Sequence, residues 1–206
     1  MTPGAVRPGE EWGRPGPLPP GAVICGSDAE AADAVRDAAV DGLPFPPLGL
    51  VGGDLWRTLG SPGGGERRLR DEGGTAVAID VVEVQMDGRT DWFVAHLLAR
   101  GGWWRGRIVA VMNAEFMGAW DVAPRSHPGD GRVEVLDADP PLGDRLTARR
   151  RLSHGTHIPH PDIAVRRVDG TELDLAGRRV WLDGEARGRC RALSLNVLGG
   201  ALDVVV

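Results

Sequence analysis

The chain has 206 residues, of which 42% are hydrophobic and 26% charged, and its net charge is −5 at pH 7. This length allows one large domain or two small ones and excludes a disulfide-stapled mini-protein. The hydrophobic and charged fractions are those of a globular protein and argue against a wholly disordered chain. All 24 basic residues are Arg, so Walker-type phosphate loops and Schiff-base chemistry, which both need Lys, are excluded.

The first third of the chain begins with residues 1–21, which hold six Pro and five Gly. With almost no apolar periodicity, this segment predicts a disordered tail. Residues 22–42 read as a strand, a turn and a helix, and the spacing of Ser27 and Glu30 predicts a capping box at the helix start. Residues 47–60 repeat the strand, turn and helix pattern.

The remainder of the chain changes to the period of two that is typical of strands. Residues 61–74 are rich in Gly and charge and read as a linker, and one amphipathic helix is predicted at 143–152. Many short strands with Gly-rich turns favour a β-sandwich over a parallel sheet. The predicted strands are 75–84, 91–98, 107–113, 132–137, 178–182, 191–198 and 201–206.

Charge is unevenly distributed along the chain. Between Arg145 and Arg191 there are 11 Arg and 6 acidic residues, a local net charge of +5, which leaves −10 for the rest. Two interpretations stay open: this third faces an anionic ligand or surface, or its arginines occupy solvated faces. The acidic total argues against an extended nucleic-acid footprint, so no nucleic-acid partner is expected.

Five motifs follow one another in the second half of the chain. They are 113–124 (N-A-E-F-M-G-A-W-D-V-A-P), 130–131 (D-G), 155–157 (G-T-H) with 160–161 (H-P), 182–185 (L-D-G-E) and 201–205 (A-L-D-V-V). In order and spacing, the motifs resemble the bacterial diacylglycerol kinases and the sphingosine kinase-like lipid kinases. The resemblance implies an α+β protein, with a nucleotide-binding α/β domain followed by a β-sandwich domain and an active site in the cleft between them. It also implies transfer of the ATP γ-phosphoryl group to a lipid hydroxyl.

Three acidic residues acquire roles from this resemblance. Asp183 matches the general base that acts on the lipid hydroxyl, and Glu185 is its neighbour in the same loop. Asp130 matches a residue that helps to hold a divalent cation, which makes Mg²⁺ the expected metal. The residues alone also fit a simpler interpretation, since Asp-Gly is the strongest local signal for a tight turn between strands.

The nucleotide motifs depart from the family pattern. Residues 26–30 read G-S-D-A-E where the family has G-G-D-G-T, so that Ala29 adds a side chain and Glu30 brings a carboxylate to donors that would bind phosphate. Residues 51–54 read V-G-G-D, a shortened form of the family's second loop. We therefore expect ATP to bind weakly or not at all. The residues that match nucleotide-contacting positions are Gly26, Asp28, Gly52, Gly53, Asp54 and Asn113.

Three hypotheses about function follow. The first is a lipid kinase-like protein with an eroded ATP site that serves as a non-catalytic lipid or small-molecule binding module. The second is an active ATP-dependent lipid kinase. The third is a structural or regulatory subunit whose open sheet edge pairs with a second copy or with another chain. The implied organisation is a tail at 1–21, a truncated α/β domain at 22–74 and a β-sandwich domain at 75–206.

Other signals bear on location and metal binding. No apolar run has the roughly 18 to 20 residues that span a bilayer, and the N-terminus has no signal segment, so a cytoplasmic protein with at most peripheral membrane contact is expected. Cys25 and Cys190 are predicted to be buried thiols. The histidines at 154, 157 and 160 have a zinc-like spacing, but prolines at 159 and 161 exclude a helix that would gather them on one face.

Overall fold

The computed structural model describes residues 12–70, 73–102 and 105–206. Within these residues the helices are α1 (Asp28–Val40), α2 (Gly53–Thr58), α3 (Gly65–Arg70) and α4 (Leu142–Leu152). The strands are β1 (Arg14–Pro15), β2 (Val23–Cys25), β3 (Leu48–Leu50), β4 (Thr75–Met86), β5 (Arg89–Phe93), β6 (His96–Arg100), β7 (Ile108–Met112), β8 (Phe116–Met117), β9 (Trp120–Asp121), β10 (Val133–Ala138), β11 (Ile163–Val168), β12 (Gly170–Leu182) and β13 (Glu185–Val205).

One large sheet contains 11 of the described strands. Its main path runs β1-β4-β13-β12-β6-β7-β10-β11, mostly in antiparallel pairs, while β8 and β9 form a separate hairpin. The strands wrap around a core of alternating Val and Leu side chains contributed chiefly by β4, β6, β7, β12 and β13. The predicted mixed α+β class with a C-terminal sandwich is confirmed.

The long strand β13 connects the two halves of the chain. Its first part pairs with β12, and its last residues pair in parallel with β3, Val204 opposite Leu48 and Val205 opposite Gly49. Strand β3 pairs in parallel with β2, so the two strand, turn and helix units extend the same sheet as the sandwich. The domain boundary at residues 74 and 75 stays a prediction.

The predicted disordered tail needs correction. Residues 1–11 lie outside the described residues, but Arg14–Pro15 pair with β4 and the Trp12 indole N–H donates to the Ala78 carbonyl. The backbone N–H of Leu18 donates to the Leu69 carbonyl. Pairing at the edge of the sheet gives the backbone groups of this Pro-rich segment hydrogen-bond partners. The amino-acid composition alone does not predict this pairing.

The predicted linker at 61–74 is also partly wrong. It contains α3, whose Leu69 is buried, while residues 71 and 72 lie outside the described part. Leu69 and Leu18 pack directly over Gly49, where an added Cβ would lie within 2.8 Å of the Leu69 side chain. This apolar contact stabilises a helix too short to form by itself.

Boundaries elsewhere differ from expectation in ways that pairing explains. The predicted strand at 91–98 divides at residues 94 and 95, and the predicted strands at 191–198 and 201–206 are one strand with a register shift between Leu198 and Leu202. Strand β11 was not predicted, because four of its six residues are exposed and it lies at the sheet edge. Among the described residues, none of the helices combines the length and apolar character that a membrane span requires.

Candidate functional site

Two turns meet where the parallel strands β2 and β3 end. The Ser27 hydroxyl accepts from the Glu30 backbone N–H at 3.2 Å, and a Glu30 carboxylate oxygen accepts from the Gly26 N–H at 2.6 Å. The Ser27 bond confirms the predicted cap at the start of α1, while the Glu30 carboxylate reaches the N–H of Gly26, one residue before the cap. The first donor of the turn that would face a phosphate is therefore occupied by a carboxylate of the chain itself.

The Asp28 side chain occupies the donors of the second turn. Its carboxylate accepts from the backbone N–H groups of Asp54 at 2.6 Å and Leu55 at 3.0 Å, so it caps α2 across the gap between the two units. Burial raises the pKa of Asp28, and the two N–H bonds act in the opposite direction. The sequence placed Asp28 at a nucleotide contact; the structure places it inside a helix cap.

The glycines of the second turn allow the two turns to touch. A Cβ at Gly52 would lie 2.3 Å from the Gly26 carbonyl oxygen, and one at Gly53 would lie 2.5 Å from an Asp28 carboxylate oxygen. Gly53 also has a φ of +97°, which favours glycine. These glycines therefore allow the second turn to pack against the first turn, rather than against a phosphate.

Asp54 pairs with His96, a residue that sequence reasoning did not single out. The His96 Nε2 lies 3.0 Å from the Asp54 Oδ2, and the Gly118 N–H donates to both Asp54 oxygens at 2.8 and 2.9 Å. Burial alone would raise the pKa of Asp54, but the bonds from His96 and Gly118 reverse this and lower it. Burial alone would lower the pKa of His96, but Asp54 and the charge of Asp183 raise it. The lowered pKa of Asp54 and the raised pKa of His96 both favour the charged forms of the two side chains.

Asp183 forms the turn between β12 and β13 and also points back into the protein. Asp183 and Gly184 have φ values of +48° and +86°, as in a two-residue hairpin turn, which agrees with the Asp-Gly signal. The Asp183 carboxylate accepts three backbone N–H bonds of 2.8 to 2.9 Å, from residues 94, 95 and 96. Burial raises the pKa of Asp183 to about 6, with His96 and the backbone bonds acting in the opposite direction.

Glu185 lies apart from this network. Its half-exposed side chain pairs with Arg187 at 3.2 Å, and the same arginine lies 3.2 Å from Asp91. Contact between Glu185 and the Asp183 carboxylate is not among the described interactions, so its catalytic role stays a prediction.

Asn113 contacts the same segment as Asp183. It is fully buried, and its amide nitrogen donates to the carbonyls of Asp80 at 3.0 Å and Val94 at 2.7 Å. Its backbone N–H donates to the Ala95 carbonyl. The segment between β5 and β6 is thus held from two sides, by Asn113 and by Asp183.

Among the described residues, Asp130 forms no hydrogen bond with the other candidate site residues. It is paired with Arg167 and accepts from the backbone N–H of Arg132. Its neighbour is Asp80, a buried carboxylate that accepts from the N–H groups of Gly131 at 2.7 Å and Gly200 at 2.8 Å. Burial raises the pKa of Asp80 to about 6, and the two N–H bonds oppose that rise. A lone Asp in the apolar run of β4 was the available sequence signal for this site.

A separate apolar cavity lies under α4, on the face of β6, β7 and β10. Its volume is about 140 Å³, similar to the dry apolar cavities that accept a small apolar molecule. Apolar side chains dominate its lining, among them Leu98, Ala110, Trp120, Leu136 and Leu152. Sequence patterns did not predict this cavity, because its walls come from distant segments of the chain.

Three polar side chains also line this cavity. Arg145 is buried and donates to the carbonyls of Pro140 and Gly106, whereas Arg149 lies over the Trp120 ring at 5.5 Å. His157 is 4% exposed, and neither ring nitrogen forms a hydrogen bond of ordinary geometry. Burial lowers the pKa of His157, while the nearby Val122 backbone acts in the opposite direction.

Comparison with known proteins decides the family. Residues 79–206 match the model of the YegS C-terminal NAD kinase beta sandwich-like domain. The chain belongs to this family. Membership of the diacylglycerol kinase-like proteins, expected from the motifs, is thereby confirmed. A search of curated proteins finds no significant match.

Solved structures agree with this family in fold. A candidate diacylglycerol kinase from Bacillus anthracis str. Sterne superposes with a TM-score of 0.65 at 14% identity, over 89% of this chain and 76% of that one. A diacylglycerol kinase from the same organism gives 0.60 at 15% identity, over 89% and 74%. At such identities the likeness concerns the fold.

The family typically uses a divalent metal, and one buried group of side chains has suitable spacing. Asp28, Asp54 and His96 each place one donor atom within 4.8 Å of the others. These donors fit Mg²⁺ poorly, because Mg²⁺ favours oxygen ligands and keeps several waters, whereas one donor here is a nitrogen already paired with Asp54. Asp130, the predicted metal ligand, belongs to no such group among the described residues.

Proposed function

We propose that this member of the diacylglycerol kinase-like family is a non-catalytic lipid or small-molecule binding module whose nucleotide site is closed. The observation that carries the proposal is the use of backbone donors at both turns by the chain itself. Glu30 occupies the Gly26 N–H, and Asp28 occupies the N–H groups of Asp54 and Leu55.

Phosphate binding at such turns requires free N–H groups and room for the anion. Neither requirement is met here, since Gly52 lies directly against the Gly26 carbonyl and the two carboxylates already supply negative charge. A nucleotide would have to break the cap of α2 and displace Glu30. This cost supports weak or absent binding of Mg-ATP.

Asp183, the general base implied by the resemblance, also accepts hydrogen bonds from backbone N–H groups. All three backbone N–H groups that reach Asp183 are buried, and accepting them fixes the turn at residues 94–96. A carboxylate that leaves these bonds to take a proton would strand three buried donors. Asp183 is therefore better suited to hold the fold than to activate a hydroxyl.

The apolar cavity supports the choice of ligand. It combines apolar walls with the unpartnered imidazole of His157 and a nearby Arg149, a combination that suits an amphiphile with one apolar chain and a polar end. An acyl chain would lie against residues such as Ala110 and Leu136. The polar end would meet the imidazole or the guanidinium.

A thermal-shift panel tests the proposal. A ligand that binds only the folded state raises the melting temperature, so a short-chain fatty acid that matches the cavity volume should raise it while Mg-ATP should not. Ala110→Phe fills the cavity and should abolish the lipid shift, whereas Ala164→Phe, at an exposed position of β11, should retain it. A shift with Mg-ATP alone would favour the active kinase instead.

A further inference from the structure

A groove lies between helix α1, strand β2 and the segment that follows α1; it is called the α1 groove below. Its volume is about 510 Å³, which is in the range of sites that hold a bound ligand. Strand β2 pairs with β3 alone among the described residues, so the sheet ends at this groove. The apolar part of the lining consists of Val23, Ala34, Ala38, Leu43, Pro44 and Pro46.

Large apolar side chains are exposed in and beside the α1 groove. Val23 is 41% exposed and Leu43 is 61% exposed, and both line the groove. Val40 is 74% exposed and lies one helical turn after Asp37, which also lines the groove. Three of the six large hydrophobic residues that are exposed in the described part of the chain thus lie at this place. Exposed apolar surface of this kind marks sites of contact with other molecules.

The rim of the α1 groove is acidic. Helix α1 carries four acidic residues and one Arg, a net charge of −3. That arginine, Arg36, pairs with Asp33 and Asp91, whereas Asp37 and Asp41 are exposed and form no ion pair with any other described residue. The acidic residues that line the groove are Glu30, Asp33, Asp37 and Asp41.

Two of these carboxylates lie at the unfavourable end of α1. Asp37 is in the last turn and Asp41 is the C-cap residue, and the last turn contains no basic residue. The free carbonyl groups at the C-terminus of a helix carry partial negative charge, so carboxylates there destabilise the helix. Helix stability therefore does not account for these two charges, whereas contact with a cationic partner does.

We propose that the α1 groove binds a basic segment of a partner protein, in which Arg or Lys alternates with apolar side chains. The apolar side chains of the segment cover Val23 and Leu43, and its cations pair with Asp37 and Asp41. Charge complementarity selects this occupant, because the acidic rim repels nucleic acids and anionic lipids. A metal ion alone would leave the apolar lining uncovered.

The proposed interaction is separate from the lipid-binding function proposed above. The α1 groove shares no lining residue with the cavity under α4. It also does not depend on whether a nucleotide binds, because Asp37 and Asp41 lie at the opposite end of α1 from the turn that begins it.

Fluorescence anisotropy of labelled synthetic peptides with the full chain tests the proposal. The probe peptide alternates Arg with Leu, and two control peptides alternate Glu with Leu and Arg with Ser. The wild type should bind the Arg-Leu peptide about tenfold more tightly than either control peptide. Its affinity for the Arg-Leu peptide should fall as the salt concentration rises.

Variants of the chain separate the charge from the apolar contact. Asp37→Asn/Asp41→Asn should weaken binding of the Arg-Leu peptide about tenfold, and Leu43→Gln about fivefold. The first variant should melt at or above the wild-type temperature, because it removes two carboxylates from the C-terminal end of a helix. Matched control variants, at exposed positions outside the groove, should bind like the wild type. They are Asp169→Asn/Glu172→Gln and Leu142→Gln.

Several outcomes would overturn the proposal. They are equal affinity for the three peptides, no binding of the Arg-Leu peptide, or equal losses in the groove variants and their controls. A dimer in solution that becomes monomeric in Leu43→Gln would assign the groove to a second copy instead. The cavity variant Ala110→Phe should bind the Arg-Leu peptide like the wild type, so failure of this proposal and failure of the proposed lipid-binding function are distinguishable.

Discussion

The carboxylate of Asp28 accepts a hydrogen bond from the backbone N–H of Asp54 at 2.6 Å, across 26 residues of sequence. Both residues lie at turns that, in the family pattern, contact nucleotide. This hydrogen bond uses a carboxylate and a backbone N–H that would otherwise be available to a ligand. It also links the two turns to each other.

Replacing Asp28 by Ala should destabilise the protein by about 1 to 3 kcal/mol, because it leaves two donors at the start of α2 without partners. Chemical denaturation gives the free energy of unfolding. Asp33→Ala on the exposed side of α1 is the control and should cost less than about 0.5 kcal/mol. Equal losses of unfolding free energy in Asp28→Ala and Asp33→Ala would show that the Asp28 cap does not stabilise the protein.

Asp183→Asn should also cost about 1 to 3 kcal/mol, since an amide cannot accept all three N–H bonds that the carboxylate receives. Asn tolerates the left-handed backbone at this turn, so the loss would come from the bonds rather than from strain. Glu185→Gln, at the exposed end of the same hairpin, should change the free energy of unfolding by less than about 0.5 kcal/mol. An Asp183→Asn variant as stable as the wild type would contradict the structural role.

Asp80 predicts a pH dependence with a defined sign. Its pKa is raised from 3.8 to about 6 in the folded protein, so between these values the folded state holds a proton that the unfolded state has lost. The contribution of Asp80 to stability is therefore greatest below about pH 4 and falls as pH rises to 6, by up to roughly 3 kcal/mol.

Asp80→Asn isolates this effect, because the amide does not titrate. The free energy of unfolding of the wild type, minus that of the variant, should fall between pH 4 and pH 6 in denaturation curves. A constant difference would mean that the N–H bonds from Gly131 and Gly200 fully offset the burial of the carboxylate.

Local signals in the sequence were sufficient where the partners are close along the chain. Ser27 and Glu30 predicted the cap of α1, and Asp183 followed by Gly184 predicted the hairpin turn, because each depends on neighbours within four residues. The capping of α2 by Asp28 was missed, since it depends on how two turns pack. The sequence motifs assigned the carboxylates of Asp28 and Asp183 to a ligand or substrate. In the folded protein both carboxylates accept hydrogen bonds from backbone N–H groups.

Long-range contacts account for the other omissions. His96 became part of the network because β5 and β6 break at residues 94 and 95, a break that alternating apolar residues did not indicate. The cavity beside His157 is formed by residues of β7, β10 and α4, which are distant in sequence. The surroundings of His157 therefore could not be predicted from its neighbours along the chain. His157 belongs to no group of metal-ligating side chains among the described residues, whereas its neighbour His160 lies near Asp144 and Asp162.

Restoring the family residues at the first turn should not restore nucleotide binding. Ala29→Gly/Glu30→Thr removes the carboxylate from the Gly26 N–H, but Asp28 still caps α2 and Gly52 still lies against Gly26. Equilibrium dialysis with labelled ATP should find the variant as weak as the wild type. Tight binding by this variant would locate the whole defect at Glu30.

Isothermal titration of Mg-ATP into the wild-type protein tests whether the chain's own carboxylates close the nucleotide site. We expect no saturable heat at micromolar protein concentration, because Glu30 and Asp28 occupy the donors that a phosphate needs. A saturable isotherm with one site and a micromolar Kd would contradict it.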